Sequence, residues 1–250
     1  MATLYLVSTP IGNLEDITAR AARVLAGVPV ILAEDRRVSR TLLLHLNIGT
    51  IPEVYHDFNK ERVTPRLIDR LKSGTDMALI TDAGTPGIAD PAYNLVRAAI
   101  DEGIRIEPIP GPVACIAALS ASGLPTDRFV FENFLPNKGA ARRRVLASFT
   151  EEKRTVVFYE SPHRIIKVME DMEAIFGDVW VVIAREMTKI HEEFLRGSPR
   201  QILDHFAAHP PRGEMVVLFN PRIRCEPTEE IPAGTDNAGR VIVTPDSASR

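Results

Sequence analysis

The sequence predicts an α/β fold whose strands are largely parallel. Short apolar runs rich in Val, Ile, Leu and Phe recur along the 250 residues, and helical patterns separate them. Alternation of this kind is typical of a parallel sheet covered by helices. The predicted strands are residues 4–7, 28–33, 77–81, 104–109, 129–134, 155–159, 179–184 and 215–219.

The helices between these strands have recognisable ends. Asp16 can cap a helix that stops before Gly27, which suits the left-handed C-cap position. Pro91 and Pro162 can each begin a helix, because proline fits the first helical turn, and a glycine follows each of these helices. Strands and helices therefore alternate in the order that a parallel sheet needs.

The chain is long enough for two domains. Glycine and proline interrupt the pattern at residues 122–127, so we expect an N-terminal α/β domain at 1–121 and a C-terminal α/β domain at 122–222. Residues 223–250 are rich in Pro, Glu, Thr, Asp, Gly and Ser. We expect a mobile polar tail there, in which residues 241–243 could still form a short edge strand.

Composition restricts the partners and the compartment. The formal net charge is −3, so a nucleic acid would have to bind a local basic patch and not the whole surface. Cys115 and Cys225 form no disulfide or metal-binding pattern, which favours a reducing, cytoplasmic compartment. No apolar run approaches the roughly 20 residues of a membrane span, and the first residues do not resemble a signal peptide, so we expect no membrane association.

Three strands of the first half run into loops rich in glycine and proline, at residues 8–13, 81–91 and 109–114. The carboxyl ends of parallel strands share one edge, where ligands bind. Glycine lets a backbone approach a ligand closely and proline holds the loop's shape. One such loop is equally well explained as a tight turn, but three at one edge favour a ligand site. The phosphate-binding and dinucleotide glycine motifs are missing, which disfavours a dinucleotide oxidoreductase.

Charged and polar side chains follow several of the other strands. Asp35 and Arg36 end one strand, His56 and Asn59 lie in the next loop, and later strands end at Glu160 with His163 and at Glu186. Each alone is commonly a helix cap or a surface ion pair. Their recurrence at one sheet edge favours a functional role.

A local basic region follows the strand at 129–134 and contains Lys138, Arg142 and Arg143. Such a region can bind a phosphate backbone. A solvated helix face explains it as well, because most charge runs are of that kind.

Seven segments in this order resemble the tetrapyrrole methylase superfamily, and most closely its ribosomal RNA methyltransferases. They are TPIGNL (9–14), DAGTPGI (82–88), PGP (110–112), LSASGLP (119–125), FLP (134–136), YESPHR (159–164) and GE (213–214). The resemblance extends over about residues 4–218.

The resemblance implies two α/β domains with S-adenosylmethionine in the cleft between them, and a homodimer. It implies methylation of the ribose 2′-oxygen of a cytidine in 16S rRNA of the small ribosomal subunit, a reaction that requires no metal. The expected cofactor contacts are Pro10, Ile11, Asp82, Ala83, Gly84, Thr85, Ile88, Pro112, Val113, Ala114, Tyr159, Met187 and Gly213.

The substrate hydroxyl must lose a proton during methyl transfer, so a base is needed. The candidates are Asp35, His56, Glu160 and Glu186, with Asp35 and Glu160 preferred because both follow strands directed at the cleft. The expected RNA contacts are Arg36, Asn59, Lys138, Arg142, Arg143 and His163.

Two departures from the family pattern lie in the expected RNA-facing region. Arg36 stands where the family usually has threonine, and Phe58 replaces the second histidine of a His-Asp/Glu-His-Asn motif. They leave room for a non-catalytic RNA-binding assembly factor derived from the enzyme. The nearer alternative is C-methylation of a tetrapyrrole such as a precorrin or uroporphyrinogen, whose enzymes usually show Gly-Asp-Pro where this chain has Gly84-Thr85-Pro86.

Overall fold

The computed structural model describes residues 2–225, which contain two sheets and the helices that cover them. The strands in this part of the chain are β1 (Thr3–Val7), β2 (Val30–Ala33), β3 (Glu53–Val54), β4 (Met77–Leu79), β5 (Arg105–Ile109), β6 (Phe129–Phe134), β7 (Thr155–Glu160), β8 (Val179–Arg185), β9 (Glu193–Gly197) and β10 (Met215–Arg224). The α-helices are α1 (Ala19–Gly27), α2 (Arg36–His45), α3 (Lys60–Lys72), α4 (Ala92–Asp101), α5 (Ala114–Ser122), α6 (Gly139–Ser148), α7 (Ile165–Phe176) and α8 (Pro199–Ala208).

The first sheet is parallel throughout, in the order β3-β2-β4-β1-β5. The second has the order β6-β7-β10-β8-β9, and only β6 and β7 run parallel in it. The predicted α/β class is confirmed, but the expectation of largely parallel strands is wrong for the second sheet. Residues 186–192 join β8 to β9, a connection too short for a parallel crossover.

Several predicted ends shift by a few residues. Thr18, and not Asp16, caps α1, because its Oγ1 accepts a hydrogen bond from Ala21 N at 3.1 Å. Asp16 closes a short 3-10 turn, and Gly27 is the last residue of α1. Pro91 directly precedes α4 as predicted. The strands β3 and β9 were not predicted. Strand β3 has only two residues, and the apolar run in β9 is only Phe194 and Leu195, between Glu193 and Arg196.

Helices cover both faces of the first sheet. Leu4 and Leu32 pack with Leu67 of α3 and Leu95 of α4, while the opposite face packs against α1 and α2. The second sheet packs its main core against α6, α7 and α8. Its other face receives α5, whose Cys115 and Leu119 join a buried cluster of strand residues. This helix follows β5 of the first sheet in the chain and packs on the second sheet.

The division into domains between residues 121 and 122 stays a prediction. Helix α5 lies almost wholly before this point in the sequence, but it packs on the second sheet. Strand β10 continues to Arg224, so residues 223 and 224 belong to the sheet and not to the predicted tail. The rest of that tail, with the possible strand at 241–243, lies outside the described residues. Within residues 2–225 no helix combines the length and the apolar character needed to cross a membrane.

Candidate active site

The three glycine- and proline-rich loops converge at the carboxyl edge of the first sheet. Thr9 and Gly84 exchange two backbone hydrogen bonds, of 2.8 and 3.1 Å. Thr85 Oγ1 donates to the carbonyl of Pro112 at 3.1 Å, so the Ser8 hydroxyl, 2.7 Å away, donates to Thr85. These contacts tie the loops at 8–13, 81–91 and 109–114 into one cradle, as the sequence predicted.

Asp90 fixes the shape of the longest loop. Its carboxylate accepts hydrogen bonds from Gly87 N at 2.7 Å and from Ala92 N, at the start of α4, at 2.8 Å. The Ala92 N–H is one of the groups that have no acceptor within the helix at its N-terminus, and Asp90 supplies that acceptor. Asp90 was not among the predicted site residues, although an aspartate just before Pro91 is a recognisable helix-start signal.

A cleft of about 400 Å³ opens between this cradle and the second sheet. That volume lies in the range of small-molecule sites. The cleft is lined by Ile11, Ala83, Gly84, Thr85, Ile88, Ala89, Val113, Ala114, Phe134, Tyr159, Glu160, Ser161, Pro162, Ala184, Glu186, Met187, Lys189, Glu214, Met215 and Val216.

Glu160 lines the cleft and its side chain is fully buried. Oε1 accepts a hydrogen bond from Ser161 N at 2.7 Å. Oε2 lies 3.1 Å from Arg164 Nη2, but the contact lacks hydrogen-bond geometry, and no other donor among residues 2–225 reaches this oxygen. Burial raises the pKa of Glu160, although Arg164 and Arg142 act in the opposite direction. The cleft is therefore lined by a buried carboxylate whose Oε2 accepts no hydrogen bond from residues 2–225 and lies beside the Arg164 guanidinium.

Glu186 is engaged in an ion-pair network at the rim of the cleft. Lys189 Nζ lies 2.9 Å from Glu186 Oε1 and 3.5 Å from Glu214 Oε2. The hydrogen bond from Lys189 lowers the pKa of Glu186. Gly213, with φ of +75°, lies against the Glu186 carboxylate, and a Cβ at that position would overlap it. Glu186 and Thr188 adopt left-handed backbone angles (φ 49° and 63°), a strain that is common at functional sites.

Asp35 and Asp82 lie in an adjoining groove instead of the cleft. Asp35 caps α2 by accepting from Arg37 N at 2.7 Å, a contact that lowers its pKa. Its own N–H donates to Asp82 Oδ1 at 3.0 Å, and burial raises the pKa of Asp82. Among residues 2–225 no group of three or more His, Cys, Asp or Glu side chains could hold a metal ion.

The structure brings most of the expected cofactor contacts to the cleft. Those that line it are Ile11, Ala83, Gly84, Thr85, Ile88, Val113, Ala114, Tyr159 and Met187, together with the candidate bases Glu160 and Glu186. Pro10 and Asp82 line the adjoining groove, and His56 lines neither. Pro112 contributes its carbonyl to the cradle.

Nine residues that line the cleft were not predicted from the sequence. The unpredicted residues are Ala89, Phe134, Ser161, Pro162, Ala184, Lys189, Glu214, Met215 and Val216. Most of them immediately adjoin a predicted residue or end a predicted strand of the second sheet, which is the signal that could have identified them.

The expected RNA contacts are spread over different environments. Lys138 and His163 are exposed, and the side chain of Arg143 is 55% exposed. Arg142 is only 5% exposed and places Nε 2.7 Å from Asp171 Oδ2. The predicted RNA contact at Arg142 is therefore wrong, because the side chain is buried. Arg142 instead joins α6 to α7 through Asp171, a buried aspartate that needs a cation.

The comparisons with known proteins agree with this geometry. Residues 3–203 match the family model of Tetrapyrrole (Corrin/Porphyrin) Methylases. Proteins named "Ribosomal RNA small subunit methyltransferase I" are 45% identical in Synechocystis sp. (88% of this chain, 79% of the relative) and 49% in Pseudomonas aeruginosa (86% and 78%). The relative in Thermotoga maritima is 44% identical (88% and 99%).

The chain belongs to the ribosomal RNA small subunit methyltransferase I family of tetrapyrrole methylases. The resemblance predicted from its motifs is thereby confirmed.

Solved structures of other tetrapyrrole methylase-type enzymes share the fold of this family member. Diphthine synthase superposes with a TM-score of 0.69 at 14% identity (88% of this chain, 90% of the other), and a cobalt precorrin-4 methyltransferase with 0.66 at 20% (87% and 94%). A uroporphyrin-III C-methyltransferase from Thermus thermophilus, complexed with S-adenosyl homocysteine, gives 0.61 at 20% (87% and 97%). At these identities the likeness concerns the fold alone.

Proposed function

We propose that this protein transfers a methyl group from S-adenosylmethionine to the ribose 2′-oxygen of a cytidine in 16S rRNA of the small ribosomal subunit. The observation that carries the proposal is the cleft, in which three tied backbone loops face the buried carboxylate of Glu160. The names of relatives at 44–49% identity support RNA as the substrate.

The residues of the cleft fit this cofactor. Ile11, Met187, Met215 and Val216 provide apolar surface for an adenine ring and for the methylene groups of the methionine part, and the backbone of the cradle offers N–H and C=O groups. S-adenosylmethionine supplies a methyl group that is already activated, so the main task of the protein is to position the two reactants.

Glu160 is the best candidate for the base that receives the proton of the ribose hydroxyl. Its Oε2 accepts no hydrogen bond from the described residues, although Arg164 lies 3.1 Å away, and its raised pKa is closer to neutral pH, where proton transfer is more efficient. Asp35 and His56 lie outside the cleft, and Glu186 is held by Lys189. We therefore assign the base to Glu160 and a positioning role at the rim to Glu186.

Arg36, Lys138, Arg143 and His163 remain proposed RNA-facing residues, whereas the amide of Asn59 is bonded to the backbone of its own turn. The homodimer remains a proposal that sedimentation velocity tests. A cytoplasmic location follows from the proposed substrate, since ribosomal subunits reside there.

Methyl transfer from labelled cofactor tests the function. Small ribosomal subunits from a strain that lacks the modification should take up label, whereas uroporphyrinogen III should not. Label on the tetrapyrrole alone would establish C-methylation instead. Tight cofactor binding by calorimetry without transfer to either acceptor would leave the function unsupported, and absence of binding would favour a non-catalytic assembly factor.

A further inference from the structure

Phe58 presents a bare aromatic ring at the surface. Its side chain is 98% exposed, and no other aromatic residue in the described part of the chain is as exposed. The centroid of the His56 ring lies 5.8 Å from the centroid of the Phe58 ring, and the two rings are nearly perpendicular. A single exposed apolar residue is common in proteins and means little by itself, so the surroundings of this ring are decisive.

The turn that carries Phe58 is tightly held. Asn59 Oδ1 accepts a hydrogen bond from His56 N at 3.0 Å, and its Nδ2 donates to the carbonyl of Val54 at 3.0 Å. Lys60 Nζ pairs with Asp57 at 2.8 Å. The amide of Asn59 is thus occupied by the backbone, which makes it a positioning residue for the turn. These contacts fix the turn from which the ring projects.

A basic groove of about 540 Å³ adjoins this turn and contains Arg36, Arg62 and Arg66. Residues 36–72 carry eight Lys and Arg against four Asp and Glu, a net charge of +4, although the whole chain has −3. Glu53 neutralises Arg66 in part, at 3.2 Å. Neither Arg36 nor Arg62 has an ion-pair partner among residues 2–225. The groove therefore offers guanidinium groups to an anion.

The ring and the groove lie at the same sheet edge as the cofactor cradle. Arg36 follows Asp35, whose N–H donates to Asp82 of the cradle loop at 3.0 Å. Asp57, which precedes Phe58, is near enough to Asp90 of the same loop to contribute to its raised pKa. A polymer that occupied both the groove and the cleft would pass the Phe58 ring.

We propose that Phe58 stacks on an unpaired base of the substrate RNA while Arg36, Arg62 and Arg66 hold the phosphates beside it. The proposal rests on the proposed function, because it assigns an RNA subsite to the same enzyme. Aromatic rings stack on bases of any identity, and guanidinium groups bind phosphate through paired hydrogen bonds. A symmetric contact between two copies of this chain is disfavoured, because it would bring the same cluster of arginines together.

Binding of a fluorescently labelled single-stranded RNA by the full-length protein tests the stacking. Phe58→Ala and Phe58→Leu should each weaken binding by about 10-fold, since base stacking on an aromatic ring is lost. Phe58→Tyr keeps the ring and should bind within about 2-fold of wild type. Ile190→Ala, at another side chain that is 97% exposed, controls for the loss of exposed apolar surface and should have no effect.

The salt dependence of the same binding tests the groove. Arg62→Gln should reduce the slope of log affinity against log salt by about 0.7, as expected for one lost phosphate contact to a single strand. Arg128→Gln is the matched control, because Arg128 is an exposed arginine at the start of the second sheet and away from the groove. Its slope should equal that of wild type.

Binding of Phe58→Ala and Phe58→Leu within 2-fold of wild type would overturn the proposal, as would failure of the wild-type protein to bind the RNA. Conversion of a wild-type dimer to a monomer by Phe58→Ala would also overturn it, since the ring would then be a protein contact. Methyl transfer to ribosomal subunits is measured separately on wild type. Its absence contradicts the proposed function, whereas the binding series decides the role of Phe58.

Discussion

Removal of the Asp90 carboxylate should weaken cofactor binding without unfolding the protein. The Asp90 carboxylate accepts hydrogen bonds from Gly87 N of the loop and Ala92 N of α4, at 2.7 and 2.8 Å, and Asp90 is absent from the lining of the cleft. Asp90→Ala therefore acts on the shape of the loop at 81–91 and not on a direct contact with the ligand.

The size of the effect follows from these two bonds. A hydrogen bond to a charged acceptor contributes about 1.5–3 kcal/mol, and water replaces part of that in an exposed loop, which leaves a loss of roughly 3 kcal/mol. If the loop must hold this conformation to bind, apparent affinity falls with the population of the competent state. The dissociation constant of S-adenosylmethionine should accordingly rise by between about 10- and 150-fold.

Titration calorimetry with S-adenosylmethionine measures this change. Asp101→Ala is the control, because Asp101 lies on the same helix, α4, and makes an exposed pair with Arg97 that contributes little. Thermal unfolding of both variants checks that the fold persists. If Asp90→Ala bound the cofactor within about 3-fold of the control, the loop would not depend on this carboxylate and the reasoning would be refuted.

Three further changes test other parts of the account. Arg142→Ala should lower the free energy of unfolding in urea by about 3–5 kcal/mol, because its buried aspartate partner loses its cation, whereas Arg143→Ala should cost less than about 1 kcal/mol; equal effects would contradict the assignment. Glu160→Gln should lower kcat at least about 100-fold with little change in cofactor affinity. Because only the ionised base accepts a proton, wild-type kcat/KM should rise with pH through the raised pKa of Glu160, and a profile without this acid limb would exclude it. Gly213→Ala should destabilise the protein by about 2 kcal/mol through its left-handed backbone and displace Glu186; an unchanged melting temperature would show that the rim adapts.

The cradle could be predicted from sequence because its signals are local. Glycine and proline at the ends of three strands restrict the backbone directly, and parallel strands bring such ends to one edge. The structure confirms this convergence through the contacts of Thr9 with Gly84 and of Thr85 with Pro112. The family motifs then supplied a ligand that residue chemistry alone did not name.

The features that the sequence did not reveal depend on distant partners. Arg142 belongs to a run of basic residues, and only the position of Asp171, 29 residues later, buries it. Likewise, the role of Glu186 depends on Gly213, which the antiparallel pairing of β8 with β10 brings beside it. A local pattern identifies which residues are charged, but tertiary packing decides which charges remain available.

The site of the transferred methyl group tests the central claim most directly. Small ribosomal subunits that lack the modification are incubated with the protein and S-adenosylmethionine, and nucleosides from the 16S rRNA are analysed by mass spectrometry. The account predicts 2′-O-methylcytidine as the new nucleoside, and its loss with Glu160→Gln. A methyl group on a base, or no new methylated nucleoside, would contradict it.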